Sequence, residues 1–422
     1  MSIKVAAINS ALATAAKLLG GLVTIKVLAL FIGAEGLGRI GNAFSAAAVV
    51  SAMASCGISL GVTRYIGQHR ESPIKLRSVL WTSSCMTLAA SLLLTLLGLI
   101  FAERLSDLLF RSPEFSLAIR LSSCLIIPIG YASLGIAIVN GFSETRLLVW
   151  LQAVGSGVGC IGLLLAVACW NNFGAIFGLF WILACPTIFL LILVRKYLGV
   201  HSKLLIPKFD RKIARSLVFY ALSMLVTVLV HNFVQIMIRE RIELGFGLAA
   251  VGYWQGMLRI SDAYLQVFSV FLVAYLLPRL SQELDKLKAL KLIRDAYAFL
   301  VPAVIVVLLL TYFCRVLIVD ILLSRDFLMT SDLFLPQLIA DFFRILSYIP
   351  GFLILARGNI SLLMLADLTQ GLLLLWISPL FISWYGAQGA CLSYALAYFI
   401  CFLISIAGLF LYSKNFKISF YK

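Results

Sequence analysis

Charge is scarce in this chain. Aspartate, glutamate, lysine and arginine together make up 12% of its 422 residues, against about a quarter in soluble proteins. That shortage excludes an ordinary soluble enzyme. Histidine occurs only three times, at His69, His201 and His231, far apart in sequence. No C-x-x-C or H-E-x-x-H run is present, so the sequence predicts no resident metal or redox centre. The absence of a G-x-x-x-x-G-K-[ST] loop excludes a nucleotide-driven motor within the chain. No paired carboxylates beside an acid and no Ser–His arrangement give catalysis a foothold, so the expectation is a protein that is not an enzyme and needs no cofactor. Nor does a short apolar core with a cleavage site follow the first charges, and the first apolar segment is expected to be retained.

What the chain has in abundance is apolar sequence: 62% of its residues are hydrophobic. Runs of transmembrane length recur from end to end, each too long for an outer-membrane strand of about ten residues. Twelve spans are expected, at 8–32, 41–63, 78–102, 116–140, 147–170, 174–194, 214–238, 248–277, 296–314, 331–355, 360–382 and 387–411. The nine cysteines fall mostly inside them and read as small buried apolar residues. Basic residues gather in alternate connections. The stretch 195–215 carries seven basic residues against one acidic, and 64–77 carries four against one. The intervening connections 33–40, 103–115, 171–173, 239–243, 315–332 and 383–386 are neutral or faintly acidic. Positive loops stay in the cytoplasm, which places both termini there and accounts for the net charge of +16 without nucleic acid. The amphipathic start of the seventh span, FDRKIARSLVFY (209–220), suits the anionic inner leaflet and its membrane lipids.

The longest basic connection divides the chain into an N-terminal six-helix lobe (1–195), a linker (196–213) and a C-terminal six-helix lobe (214–422). Glycine-rich turns GAEGLG (33–38), FGAIFG (173–178), FGLAAVG (246–252) and YGAQGA (385–390) each open an even-numbered span. Their recurrence points to a parallel duplication of one helical unit.

Charges inside the spans are the candidate functional residues, because each is costly against lipid. The segment 251–280 organises the chain. Arg259 and Asp262 lie three apart on one helical face, with Gln255 and Gln266 near that face. Asp341 and Arg344 repeat the spacing in reverse order, between Pro336 and Pro350, which marks their span as the candidate for a bend. Asp367 shares a face with Gln370, and Lys17 lies too deep in the first span to snorkel. Lys26 points to the opposite side of that helix. Arg64, at the cytoplasmic end of the second span, extends the positive character to an inner vestibule or meets lipid. A cationic surplus in a cavity suits an anionic cargo. The plainer alternative is a set of buried ion pairs that only fix helix packing.

The segments GVTRYIGQHRESPIKLRSV (61–79), VGYWQGMLRISDAYLQVFSVFLVAYLLPRLS (251–281) and DLFLPQLIADFFRILSYIPGFLILARGN (332–359) carry a family likeness. They resemble the O-antigen translocase (Wzx-type) group of the multidrug/oligosaccharidyl-lipid/polysaccharide (MOP) exporter superfamily, over essentially the whole chain. The resemblance implies an all-α integral membrane protein of about twelve helices, in two six-helix lobes around a central cavity. It implies a flippase of the bacterial inner membrane, working by alternating access on an ion gradient or the membrane potential. The cargo would be an undecaprenyl-pyrophosphate-linked glycan, a common-antigen or related O-antigen unit, with a Wzy-type polymerase and a chain-length regulator as partners. Lys17, Arg259, Asp262, Asp341, Arg344 and Asp367 fall where the family places cavity charges. Arg259 departs from the pattern, which has an uncharged residue after the W-Q-G, and that leaves the glycan open. The alternatives are an ion-coupled exporter of drugs or metabolites from the same superfamily, a scaffold without transport, and a membrane glycosyltransferase or polymerase. The last would need a large outer loop that this sequence lacks.

Overall fold

A computed structural model describes residues 3–70, 72–190, 209–283 and 285–413. These residues are helical almost throughout, and no strand occurs among them. They divide into two compact units: Met1–Ile32 with Ile40–Asn232, and Gly33–Arg39 with Phe233–Lys422. Most of the expected linker, 196–208, lies outside the described residues.

The first unit holds most of α1 (Ile3–Arg39), then α2 (Gly41–Ala54), α3 (Ser59–Gln68), α4 (Pro73–Ile100), α5 (Ala102–Phe110), α6 (Ser116–Ser123), α7 (Ile126–Gly141) and α8 (Thr145–Ala184). The second expected span is broken between α2 and α3, where Cys56 and Gly57 both take positive φ. A Cβ on Gly57 would stand 2.9 Å from the carbonyl oxygen of Ala221, so glycine here also permits a close helix approach. Helix α4 shows how a membrane helix inverts the soluble pattern. Its buried stripe is Ser83, Thr87, Ser91 and Thr95, one per turn, while Leu92, Leu93, Leu96 and Leu97 are exposed. Small hydroxyl residues let helices approach, and leucine faces lipid. The hydroxyls of Ser83 and Ser91 donate to carbonyls of their own helix, and Thr95 donates to Ser123 O at 3.2 Å. Helices α6 and α7 pass as one span bent by 49°.

The next helix, α9 (Arg211–Phe271), runs from the first unit into the second. Asp210 caps its start, accepting from Lys212 N at 2.8 Å, and its own N–H donates to Thr82 Oγ1 of α4 at 3.0 Å. The second unit continues with a π-helical turn (Leu272–Leu276), α10 (Leu277–Gln282), α11 (Lys286–Phe313), α12 (Arg315–Leu322), a 3-10 segment (Arg325–Leu333), α13 (Phe334–Ala356) and α14 (Ile360–Ser413). The irregular turn falls before Pro278, whereas α13 continues through Pro350 as one helix.

Among the described residues, seven helices are long and apolar enough to cross a membrane, or eight with the bent pair. Two of the seven, Thr145–Leu190 and Ser361–Tyr412, contain 46 and 52 residues. At the helical rise they measure about 70 and 80 Å, more than twice the hydrocarbon thickness. Each therefore folds back on itself, at Asn171 (φ 45°) and Gly386 (φ 57°) respectively. Gly33 and Gly247 break α1 and α9 in the same left-handed way. In the second echo the left-handed residue is thus Asn171, just ahead of the FGAIFG run.

A glycine a few residues after each break has a different task. A Cβ on Gly174 would stand 1.8 Å from Ala166 O, and one on Gly389 2.0 Å from Phe381 O, so both let a hairpin close on its own first arm. Within the second unit the remaining two turns interlock. A Cβ on Gly38 would lie 2.0 Å from Leu248 O, and one on Gly252 2.0 Å from Ala34 O. Gly33 and Gly247, Ala34 and Leu248, and Gly38 and Gly252 are equally spaced along the chain, so equivalent positions of a duplicated motif grip each other.

The cysteines only partly follow expectation. Cys185 and Cys391 are buried, but Cys85 and Cys169 are exposed on their helices and Cys124 and Cys314 are exposed at helix ends. A thiol is apolar enough to face lipid as readily as a neighbouring helix.

Candidate functional site

The candidate site is built in the second unit from three helices: α9 beyond its turn, α13 and the far arm of α14. Its centre is Asp341, whose residue is 0% exposed. Ser261 and Tyr264 lie three apart on α9 and reach the same carboxylate oxygen: Ser261 Oγ donates to Asp341 Oδ2 at 2.6 Å, and the Tyr264 hydroxyl donates to it as well. From one turn earlier on α13, Gln337 Nε2 donates to Oδ1 at 3.1 Å. Three donors offset the cost of burying this carboxylate and fix α9 against α13.

Arg344 does not pair with Asp341, although both stand on one face of α13. Its Nε donates to Tyr348 Oη at 2.8 Å, and its guanidinium lies 5.5 Å from the Tyr398 ring centre and 5.8 Å from that of Tyr348. Gln370 Nε2 donates to Tyr398 Oη at 2.7 Å, which ties the two arms of α14 beside Arg344. Asp367 is half-buried on the first of those arms. Arg344 lies within electrostatic reach of both Asp262 and Asp341.

Arg259 and Asp262 form the i, i+3 pair expected of them, with Nη1 and Oδ2 3.5 Å apart. Their side chains are 32% and 52% exposed, so this pair is open where Asp341 is closed. Gln255, one turn back from Arg259, is buried and accepts from Arg239 Nε at 3.1 Å. Arg239 also donates from Nη2 to Gln235 Oε1 at 2.9 Å. It lies within electrostatic reach of Arg259 and is only 2% exposed. The sequence placed Arg239 in a short connection, because the alternating charges of RERIE resemble a loop. The helix instead continues unbroken to Gly247. The signal that could have found it is Gln235, one helical turn earlier. Ser261, Tyr264 and Gln337 were also missed; neutral side chains inside a span give no charge signal.

Lys17 and Arg64 belong to the first unit. Lys17 is exposed on α1, and Arg64 is exposed on α3. Beside Arg64, Tyr65 Oη and Ser216 Oγ share a 2.5 Å hydrogen bond that joins α3 to the start of α9. Just past the end of α3, Arg70 donates from Nε and Nη2 to Gly141 O at 3.0 and 2.6 Å. Those contacts make the end of α3 a packing point as well as a charged surface.

The second unit thus concentrates Arg239, Arg259 and Arg344 against Asp262 and Asp341. A guanidinium presents a planar fork of donors that matches phosphate oxygens, so the chemistry of this cluster suits an anion. Comparison with known proteins places the chain. The model of the family described as polysaccharide biosynthesis protein matches residues 5–283, a stretch that includes Arg239, Arg259 and Asp262. The chain belongs to this polysaccharide biosynthesis protein family. Within it, the chain is 31% identical over 411 residues to the lipid III flippases of Escherichia coli (strain K12) and Shigella flexneri, covering 97% of this chain and 99% of each relative.

Solved structures agree on the fold. An inward-facing MATE-family multidrug transporter of the MOP superfamily matches with a TM-score of 0.76 at 13% identity, over 95% of this chain and 96% of that one. A MOP-superfamily transporter from Pyrococcus furiosus Vc1 (DSM3638), described as having a binding pocket of reversed polarity, matches with a TM-score of 0.64 at 12% identity, over 96% of each chain. The polysaccharide-family chain therefore has the MOP transporter fold and is a multi-pass inner-membrane protein.

Proposed function

We propose that this protein is a flippase that moves an undecaprenyl-pyrophosphate-linked oligosaccharide, lipid III or a related O-antigen unit, from the cytoplasmic to the periplasmic leaflet. The observation that carries the reading is Arg259: a guanidinium within a largely apolar helical segment, one-third exposed, beside a carboxylate that can release it. The relatives named lipid III flippase, aligned over nearly the whole chain, support the choice of cargo. The physical task is to bring a diphosphate and its sugars across about 30 Å of hydrocarbon while the polyprenyl tail stays in lipid. Arg259 and Arg344 hold the diphosphate, Asp262 restrains Arg259 between cargoes, and Lys17 adds a point charge from the first unit. Arg64 and Asp367 complete the set of cargo-facing charges. The cycle alternates access to the two leaflets and draws on an ion gradient or the membrane potential. Both termini stay in the cytoplasm, twelve spans form two lobes, and a Wzy-type polymerase and chain-length regulator receive the product. No step requires bond chemistry by the protein itself.

The test is leaflet transfer of a defined lipid-linked oligosaccharide by purified protein in vesicles. Transfer that depends on folded protein is expected. Folded protein that moves no candidate donor, or that moves amphipathic cations instead, would overturn the reading in favour of a drug or metabolite exporter.

A further inference from the structure

The second unit contains a recess that the cationic site does not use. Its volume is about 220 Å³, and it lies where the breaks of α9 and α14 meet the 3-10 segment before α13. Phe246 and Tyr253 flank the Gly247 break, Tyr385 and Gln388 flank the Gly386 break, and Asp332 and Leu333 come from the 3-10 segment. The walls are set by backbone geometry. A Cβ on Gly386 would stand 3.0 Å from the Phe246 ring, so that ring rests directly on the left-handed turn. Tyr253 packs edge-on against Phe327 with ring centres 6.1 Å apart, and its carbonyl accepts from Thr330 Oγ1 at 3.4 Å. Leu333, 3% exposed, forms the floor. At the mouth, Phe246 and Tyr385 are about half exposed, and Asp332 and Gln388 are exposed beside them.

The chemistry of this lining is opposite to that of the arginine cluster. No lysine or arginine lines the recess, and its only charge is the Asp332 carboxylate. An anion is therefore repelled. What fits is a small ring with apolar C–H faces and hydroxyls around its edge. Aromatic faces pack against the C–H face, the carboxylate accepts from two neighbouring hydroxyls, and the amide of Gln388 both donates and accepts. The volume is below the roughly 300–1,000 Å³ of sites that take drug-sized ligands, which limits the guest to about one ring.

We propose that the aromatic recess bounded by Phe246, Tyr253, Asp332, Tyr385 and Gln388 is a saccharide-binding subsite, which holds one sugar ring of the glycan at the turn end of the second unit. It rests on the flippase reading for the presence of a glycan, and on the charge asymmetry for placing these turns on the periplasmic side. Diphosphate and sugar are then gripped in separate places by opposite chemistry. That separation lets the arginines serve any diphosphate while the recess senses the glycan.

The test uses full-length protein in detergent, with the lipid-free glycan released from the donor by mild acid as probe. Saturation-transfer NMR reads its binding to wild type, Asp332→Ala, Gln388→Ala and Tyr385→Ala. All three are exposed positions, so unchanged thermal unfolding is expected for each. The expected result is a tenfold or greater loss of glycan affinity in Asp332→Ala and Tyr385→Ala, and a smaller loss in Gln388→Ala. Equal affinity in wild type and variants, or no glycan binding by protein that transfers the intact donor in vesicles, overturns the proposal. Tetraphenylphosphonium is the second probe, because aromatic rings with a carboxylate also attract cations. If it binds in an Asp332-dependent manner while the glycan does not, the recess is a cation site and the proposal fails. Absence of donor transfer by wild type would instead sink the flippase reading, and is scored separately from glycan binding.

Discussion

Asp341 and Arg259 look alike in the sequence, each a charge three residues from an opposite one inside an apolar run. The structure separates them by burial. Asp341 is closed and accepts three hydrogen bonds; removing it strands the buried donors of Ser261, Tyr264 and Gln337. Each stranded group costs about 1–3 kcal/mol, so Asp341→Ala is expected to lower the thermal unfolding temperature in detergent sharply. Tyr264→Phe, which removes one donor and leaves the carboxylate two others, is expected to cost about 1.5–3 kcal/mol. Arg259 is open, and a half-exposed ion pair contributes little, roughly 0–1 kcal/mol. Arg259→Ala is therefore expected to melt like wild type yet transfer no cargo in vesicles. Full transfer by that variant would remove Arg259 from the cargo site. Lys17 is treated in the same way. A compact ammonium acts by charge alone, so Lys17→Arg is expected to keep measurable transfer, while Lys17→Gln and Lys17→Ala lose it at normal membrane abundance. A packing role would give the reverse series, with alanine tolerated and arginine damaging.

Apolar runs made most of the helices legible at the level of elements, and the glycine echoes marked where they turn. Two kinds of feature stayed hidden. A run of apolar residues does not show which face is buried, and in α4 the buried face is the serine and threonine stripe, not the leucines. Charge alternation in RERIE imitated a loop because local sequence cannot report that Gln255, from beyond the turn, bonds to Arg239. Of the candidate site, Arg259, Asp262, Asp341 and Arg344 were readable as charges inside apolar runs, whereas Arg239 and the neutral donors that fix Asp341 were not. The glycines carry a sharper prediction. Gly38 and Gly252 each face a backbone carbonyl of the equivalent turn, where a methyl group would stand at 2.0 Å. Gly21, also in α1, has no atom within 4 Å of that position. Gly38→Ala and Gly252→Ala are expected to destabilise the fold by at least the roughly 1–3 kcal/mol of overpacking, and Gly21→Ala to be tolerated. Thermal unfolding of the three side by side decides it, and normal melting of Gly252→Ala would show that the interlocked turns separate easily.

For the whole molecule the deciding quantity is where its charge sits along the membrane normal. The net charge of +16 is concentrated in alternate connections, and a lysine or arginine near anionic cytoplasmic headgroups gains about 1 kcal/mol. Seven basic residues in 195–215 alone thus bias the orientation strongly, whereas the turn at Asn171 and Asn172 carries no charge to oppose translocation. The proposed direction of glycan movement takes the side of the basic connections as its start. A single cysteine can be placed on either side once the nine native cysteines are replaced. Asn172→Cys is expected to react with an impermeant maleimide added to intact spheroplasts. Ser202→Cys, in the basic connection outside the described residues, is expected to react only after permeabilisation. Labelling of both from outside would mean an odd number of crossings between them has been miscounted. Exchange of the two results would invert the molecule, putting the aromatic recess on the cytoplasmic side, where it would meet the glycan before transfer instead of after it.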